Sequence, residues 1–201
     1  MIRTPFLALA LVVAAPAFAA GPPDPDWPCV QRRQPHLSIA QVWAGPVPDE
    51  AALKLAETPE IQGVAQVIAL RRTPMADAET DIATLAGDND PEALVALFAA
   101  TFDHIDRTRA RIMDGITRYA RKQQELEAQI EDLRHQFAAL DAATDKDFDR
   151  MDEVEKQLDW STRIFQDRQQ SLTYVCETPV VLEQRAFAIG RAVQNRLPKE
   201  E

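Results

Sequence analysis

Three histidines, two cysteines and a short alternating run of aspartates are the residues of this chain whose types and spacing could do chemistry. Asp132 and His135 stand at the i, i+3 spacing of a carboxylate-bridged di-iron helix, but that design needs two such pairs facing inward. His104 and His135 fall on the outer face of one long helix, too far apart to share a metal, and His36 lies in a separate segment. Asp145, Asp147 and Asp149 alternate like the start of a calcium loop. Arg150, however, occupies the position that needs glycine, and Lys156 the position that needs a bidentate glutamate. The run reads instead as an acidic turn that favours the positive end of the next helix. No Ser-His-Asp set, nucleophile elbow or glycine-rich phosphate loop occurs. We therefore expect no catalytic residue, no metal ligand and no cofactor, and read the chain as a non-enzyme.

Cys29 and Cys176 lack the Cys-x-x-Cys spacing of a redox site and are expected to form one disulfide; two free thiols or an intermolecular bridge are the alternatives. Residues 1–19 predict a secretory signal peptide: Arg3 precedes an apolar run from Phe6 to Ala15, then come Pro16 and the small-residue pattern Ala17-Phe18-Ala19. That run is shorter than the ~20 residues needed to span a bilayer, so no membrane insertion is expected. With no twin arginine and no cysteine at the cleavage point, the expected destination is the periplasm as a soluble protein. The 201-residue chain carries 32 acidic against 22 basic residues, which makes nucleic acid a poor partner for its surface as a whole.

Behind these residues stand two heptad seams. Phe98, Phe102, Ile105, Arg109, Ile112, Ile116, Tyr119, Gln123, Leu126, Ile130, Leu133, Phe137 and Leu140 alternate steps of four and three, apolar except at Arg109 and Gln123. A second seam runs from Met151 through Val154, Leu158, Phe165, Arg168, Leu172 and Val175 to Leu182, Ile189 and Val193. The fold class is all-α: a long antiparallel helical hairpin, or coiled coil, over residues 91–197 with its turn near 141–147. Short helices over 49–90 form its base, and an extended proline-rich arm with a short helical turn over 20–48 precedes them. Asp90-Pro91 and Thr58-Pro59 are cap-plus-proline starts. We expect a helix from Thr58 to about Arg72 burying Ile61, Val64, Val67, Ile68 and Leu70, and another from Pro74 to Ala86 ending at Gly87. Gly115 is the weakest point of the long helix, and Thr178-Pro179 predicts a kink or a restarted helix.

A turn centred near Ala143 makes facing residue numbers sum to about 288. Gln123 then meets Phe165, and the Arg168 stem lies on the Tyr119 ring. Arg109 falls opposite Pro179, within reach of freed carbonyls and of Glu183. The same phase puts Trp160 outside the seam beside Ile164, where it either anchors a partner or lies flat across the facing arm near Ala128. Arg107, Arg111, Arg118, Arg121 and Lys122 form a basic belt at mid-stem with only Asp114 nearby, while Asp141 to Asp159 holds eight acids against three bases. Belt-to-tip self-association would match them.

Long helical hairpins also occur in membrane-fusion adaptors and periplasmic holdase chaperones. The likeness is one of architecture, since this chain shows neither the β-domains of the former nor the basic, β-cored base of the latter. The expected function is an interaction or scaffold subunit for an envelope protein or for a second copy. A second reading is a ligand-binding or sensory bundle with a pocket lined by Trp43, Phe98 and Phe102; a third is a holdase for exported chains.

Overall fold

The computed structural model describes residues 24, 26–87 and 90–198, so the signal segment lies outside the described residues. Six helices and no strand occur among these residues. Helix α1 spans Ile39–Val42, α2 Glu50–Ala56, α3 Pro59–Ala69, α4 Met75–Ala86, α5 Pro91–Ala142 and α6 Phe148–Gln194.

The starts follow local chemistry. Asp49 Oδ1 accepts from the Ala52 amide at 2.9 Å, Asp90 Oδ1 from the Glu92 and Ala93 amides, and Asp147 Oδ1 from the Arg150 amide, so each long helix opens on an aspartate cap. At the end of α4, Gly87 adopts φ 41°, a left-handed conformation that glycine reaches without a Cβ penalty.

The two long helices pack antiparallel as a hairpin, and the 52-residue α5 is about 78 Å long. Register is fixed at two points. Gln123 Nε2 donates to the Phe165 carbonyl at 3.2 Å, and the Tyr119 hydroxyl donates to the Arg168 carbonyl at 2.9 Å. The expected facing numbers therefore hold; Tyr119 meets Arg168 through this backbone hydrogen bond, and no cation–π contact between the two occurs among the described residues. Burial raises the Tyr119 pKa and the nearby Arg168 charge opposes that rise.

Neither expected weak point breaks a helix. Gly115 lies between Met113 and Ile116, both fully buried, whose packing outweighs a glycine cost of about 1 kcal/mol. Pro179 sits buried inside a continuous α6, so the helix does not restart there. Proline cannot donate to the Val175 carbonyl, yet Pro179, Leu182, Ala186, Ile189 and Val193 keep one buried face and hold the phase.

The short helices cover α5 and α6 at the end away from the turn. Helix α3 stops at Ala69, three residues before its expected end, and turns through Thr73, whose hydroxyl donates to Val67 O at 2.7 Å. Its buried face is Ile61, Ala65 and Ile68; Val67 and Leu70, expected inside, are exposed because the small Ala65 sets the line of closest approach. The buried Arg185 donates from Nε to the Ile68 carbonyl at 2.7 Å, supplying a donor to the orphan end of α3, and burial lowers its pKa.

Trp43 stacks on Phe98 with ring centroids 4.1 Å apart, and Phe98 meets Phe102 at 6.2 Å. These rings fill one another's space. The pocket expected between them is core, built with Leu94, Leu97 and Ile189.

His104, expected on an outer face, is half-buried, with Nε2 2.8 Å from Gln62 Oε1 of α3. Burial lowers its pKa, Arg107 lowers it further, and Asp103 partly offsets both. Because the folded state holds this proton less tightly than the unfolded chain, the His104 contribution to stability is fully present above 6.5 and is lost as pH drops through 6.5 towards the depressed folded value. Urea unfolding at pH 5 and pH 7.5 should therefore show a drop at acid pH that His104→Gln reduces. An unchanged pH dependence in that variant would show that His104 is not responsible.

Candidate functional site

The proline-rich arm is laid along α5 in the opposite direction, as a third rod on the hairpin. His36 Nδ1 and the Leu37 amide both contact the Asp106 carboxylate, at 2.8 and 2.7 Å. Arg109 Nη1 donates to the Gln34 and Pro35 carbonyls. Arg33 reaches Asp114 at 3.8 Å, and Arg121 donates from Nε and Nη2 to Asp26 Oδ2 at 2.8 and 2.6 Å. Arm numbers fall as α5 numbers rise. Gln31 Nε2 donates to the Cys176 carbonyl of α6, and within the arm Trp27 Nε1 donates to the Gln31 carbonyl. The Cys29 and Cys176 sulfurs are at bonding distance, with Cα atoms 5.6 Å apart, so the arm is stapled to α6 while it lies on α5.

This arm explains Arg109, whose side chain is almost fully buried. The carbonyls that satisfy it belong to Gln34 and Pro35 rather than to the turn freed at Pro179, and Glu183 pairs with it at 3.8 Å as expected. Burial lowers its pKa, while Glu183 and Asp106 oppose the shift. Its role is to tie arm to stem.

The basic belt has more acid beside it than Asp114. Arg107 pairs with Asp103 one turn back, and Arg121 is taken by Asp26, whose hydrogen bond and charge raise the arginine pKa. Arg111 donates to Thr108 Oγ1. Among the described residues, Arg111, Arg118 and Lys122 make no ion pair, and all three are exposed.

Towards the turn, on a stretch that the arm's contacts do not reach, Trp160 stands 65% exposed. It does not lie flat across α5. Together with Ser161, the half-buried Ile164 and the exposed Arg168 of α6 it faces Lys122, Glu125, Leu126 and Gln129 of α5 across a shallow groove of about 410 Å³. Arg168 makes no side-chain ion pair among the described residues. Under the groove, Gln123 uses its amide nitrogen on Phe165 and leaves Oε1 buried without a partner among the described residues. The groove thus offers an indole, an isoleucine, two cations, the Glu125 carboxylate and the Ser161 hydroxyl on two helices.

Comparison with known protein families, curated proteins and solved structures finds no match.

The remaining residues with chemical possibilities are occupied locally. His135 lies 3.5 Å from Glu131, while Asp132 accepts from Gln136 at 2.7 Å, so the i, i+3 pair is not joined. Asp147 caps α6 and Asp141 binds Lys146 at 2.7 Å. No group of three or more His, Cys, Asp or Glu converges among the described residues. No helix there is long and apolar enough to cross a membrane. The alternating charges of the arm, Asp24, Asp26 and Arg33, are the sequence signal for its docking on Arg121 and Asp114, although nothing local says which helix they meet.

Proposed function

We propose that this is a non-enzymatic, exported interaction protein, in which a stapled base holds out a helical hairpin that binds a protein partner through the face around Trp160. The observation that carries the reading is the exposed indole on two registered helices, next to Ile164 and beside Lys122 and Arg168. Aromatic anchors ringed by charge are what protein interfaces concentrate. An exposed tryptophan on a rigid platform also loses little conformational freedom on binding. The signal-like residues 1–19 and the cysteine pair support an oxidising envelope compartment, the periplasm.

Photo-crosslinking in cells tests this. A photoreactive residue at Gln129 or Gln157 is expected to give protein adducts, whereas one at Glu155, about 140° around α6 from Trp160, gives none. Trp160→Ala should abolish the adducts and change unfolding free energy by no more than about 0.5 kcal/mol, as for an exposed site. Absence of adducts from both Gln129 and Gln157, or equal adducts from Glu155, would overturn the reading.

A further inference from the structure

The Trp160 face is complementary to itself, and we propose that its partner is a second copy of this chain, docked antiparallel about a two-fold axis at the level of Trp160. The inference rests on the docking face proposed above and names its occupant.

Along α5 the positions Arg111, Arg118, Lys122, Glu125, Gln129 and Asp132 recur at steps of seven, four, three, four and three, so they share one flank. That flank is basic at mid-stem and acidic towards the turn. Along α6, Glu153, Gln157, Trp160, Ile164 and Arg168 recur at steps of four, three, four and four, acidic towards the turn and basic at mid-stem. The midpoint between Lys122 and Asp132 is residue 127, and that between Arg168 and Glu153 falls at 160–161. By the register that Tyr119–Arg168 and Gln123–Phe165 fix, these are the same level of the hairpin. Two independent helices thus reverse charge at one height, which is the symmetry an isologous antiparallel contact requires.

A rotation about that level places Lys122 against Asp132 and Arg168 against Glu153 of the second copy, sets Glu125 opposite Gln129, and brings the two indoles together. Both cations are free of ion pairs among the described residues. The acids are held by exposed local bonds, Asp132 by Gln136 and Glu153 by Arg150 and Gln157, which cost little to exchange.

The short helices touch the stem near His104 and Arg185 and the arm's contacts on α5 end at Arg121, so both helices are open from about Lys122 to the turn. A face of roughly 30 Å by 20 Å presents about 600 Å² per copy, the low end of specific interfaces.

Light scattering on the purified protein is expected to give twice the chain mass, with an association constant at least about tenfold weaker in 0.5 M than in 0.05 M salt. The doubles Lys122→Glu with Arg168→Glu, and Asp132→Lys with Glu153→Lys, should each be monomeric, and their mixture should restore a dimer. Rescue in trans is an outcome no folding defect produces. Should a double fail to fold, Gln129→Cys serves: both native cysteines are bonded, so the new thiol, near the axis, should link to its twin under a short bismaleimide. A monomeric wild type, a dimer indifferent to the reversals, or no link at Gln129→Cys would overturn the proposal. A monomer that still gives adducts with another protein from Gln129 would refute the dimer and leave the docking face standing; no adduct of any kind would refute both.

Discussion

Loss of the Cys29–Cys176 bond is expected to lower unfolding stability by up to about 5 kcal/mol, since the cross-link closes a loop of 147 residues and the chain-entropy cost of such a loop in the unfolded state is at the top of the usual range. The folded state amplifies the loss. The arm is otherwise held by Arg121–Asp26 and Arg33–Asp114, solvent-screened pairs at the surface that contribute little, and by a few carbonyl hydrogen bonds. Ordering the dozen residues from Asp26 to Leu37 costs on the order of 1 kcal/mol per residue or more. Without the staple the arm should leave α5, and Arg109 then loses the Gln34 and Pro35 carbonyls. Urea unfolding with and without reductant reads the first effect, and amide exchange the second: amides of the arm and of α5 near Arg109 should exchange faster, while those near Trp160 stay protected. A stability loss below about 1 kcal/mol with unchanged exchange in the arm would mean that the polar contacts hold it alone.

The helices were legible because what makes them is local: an aspartate cap, a proline in the first turn, a glycine at the end of α4, and a heptad seam that stays in phase for the length of the hairpin. Register was legible too, because a tight antiparallel turn leaves little freedom once its centre is known. What escaped the sequence is set by partners distant in the chain. Val67 and Leu70 look like core but are exposed, because the face that α3 buries is decided by how closely Ala65 lets it approach α5. Pro179 looks like a break, yet packing on both sides carries the helix through it. Two of the five belt residues, Arg107 and Arg121, are occupied by aspartates, one of them nearly a hundred residues away in the arm. The Trp160 face was visible from phase alone; its symmetry emerges only when both flanks are set in register.

Gly190 carries the other large effect. It follows Ile189 in the buried face of α6, and in the sequence it looks like a mild weakness of a helix. In the fold it is the point where the backbone of α1 comes down onto α6. A methyl group there would stand 2.6 Å from the Val42 carbonyl oxygen and 3.2 Å from Cε2 of Phe98. The usual gain from replacing a helical glycine by alanine, about 1 kcal/mol, is therefore outweighed. The nearer atom is backbone, fixed because Val42 and Trp43 are buried and Trp43 is stacked on Phe98, so relief requires shifting α1 and breaking the stack. Overpacking of this kind costs about 1–3 kcal/mol, and with the carbonyl as the obstacle we expect Gly190→Ala at the upper end, about 3 kcal/mol, or a melting temperature lower by roughly 6–12 °C. Trimming the ring tests which neighbour governs. Phe98→Leu combined with Gly190→Ala should recover little of the alanine cost, because the oxygen remains where it was. Full rescue by Phe98→Leu would show instead that the aromatic ring is the obstacle and that α1 is free to move.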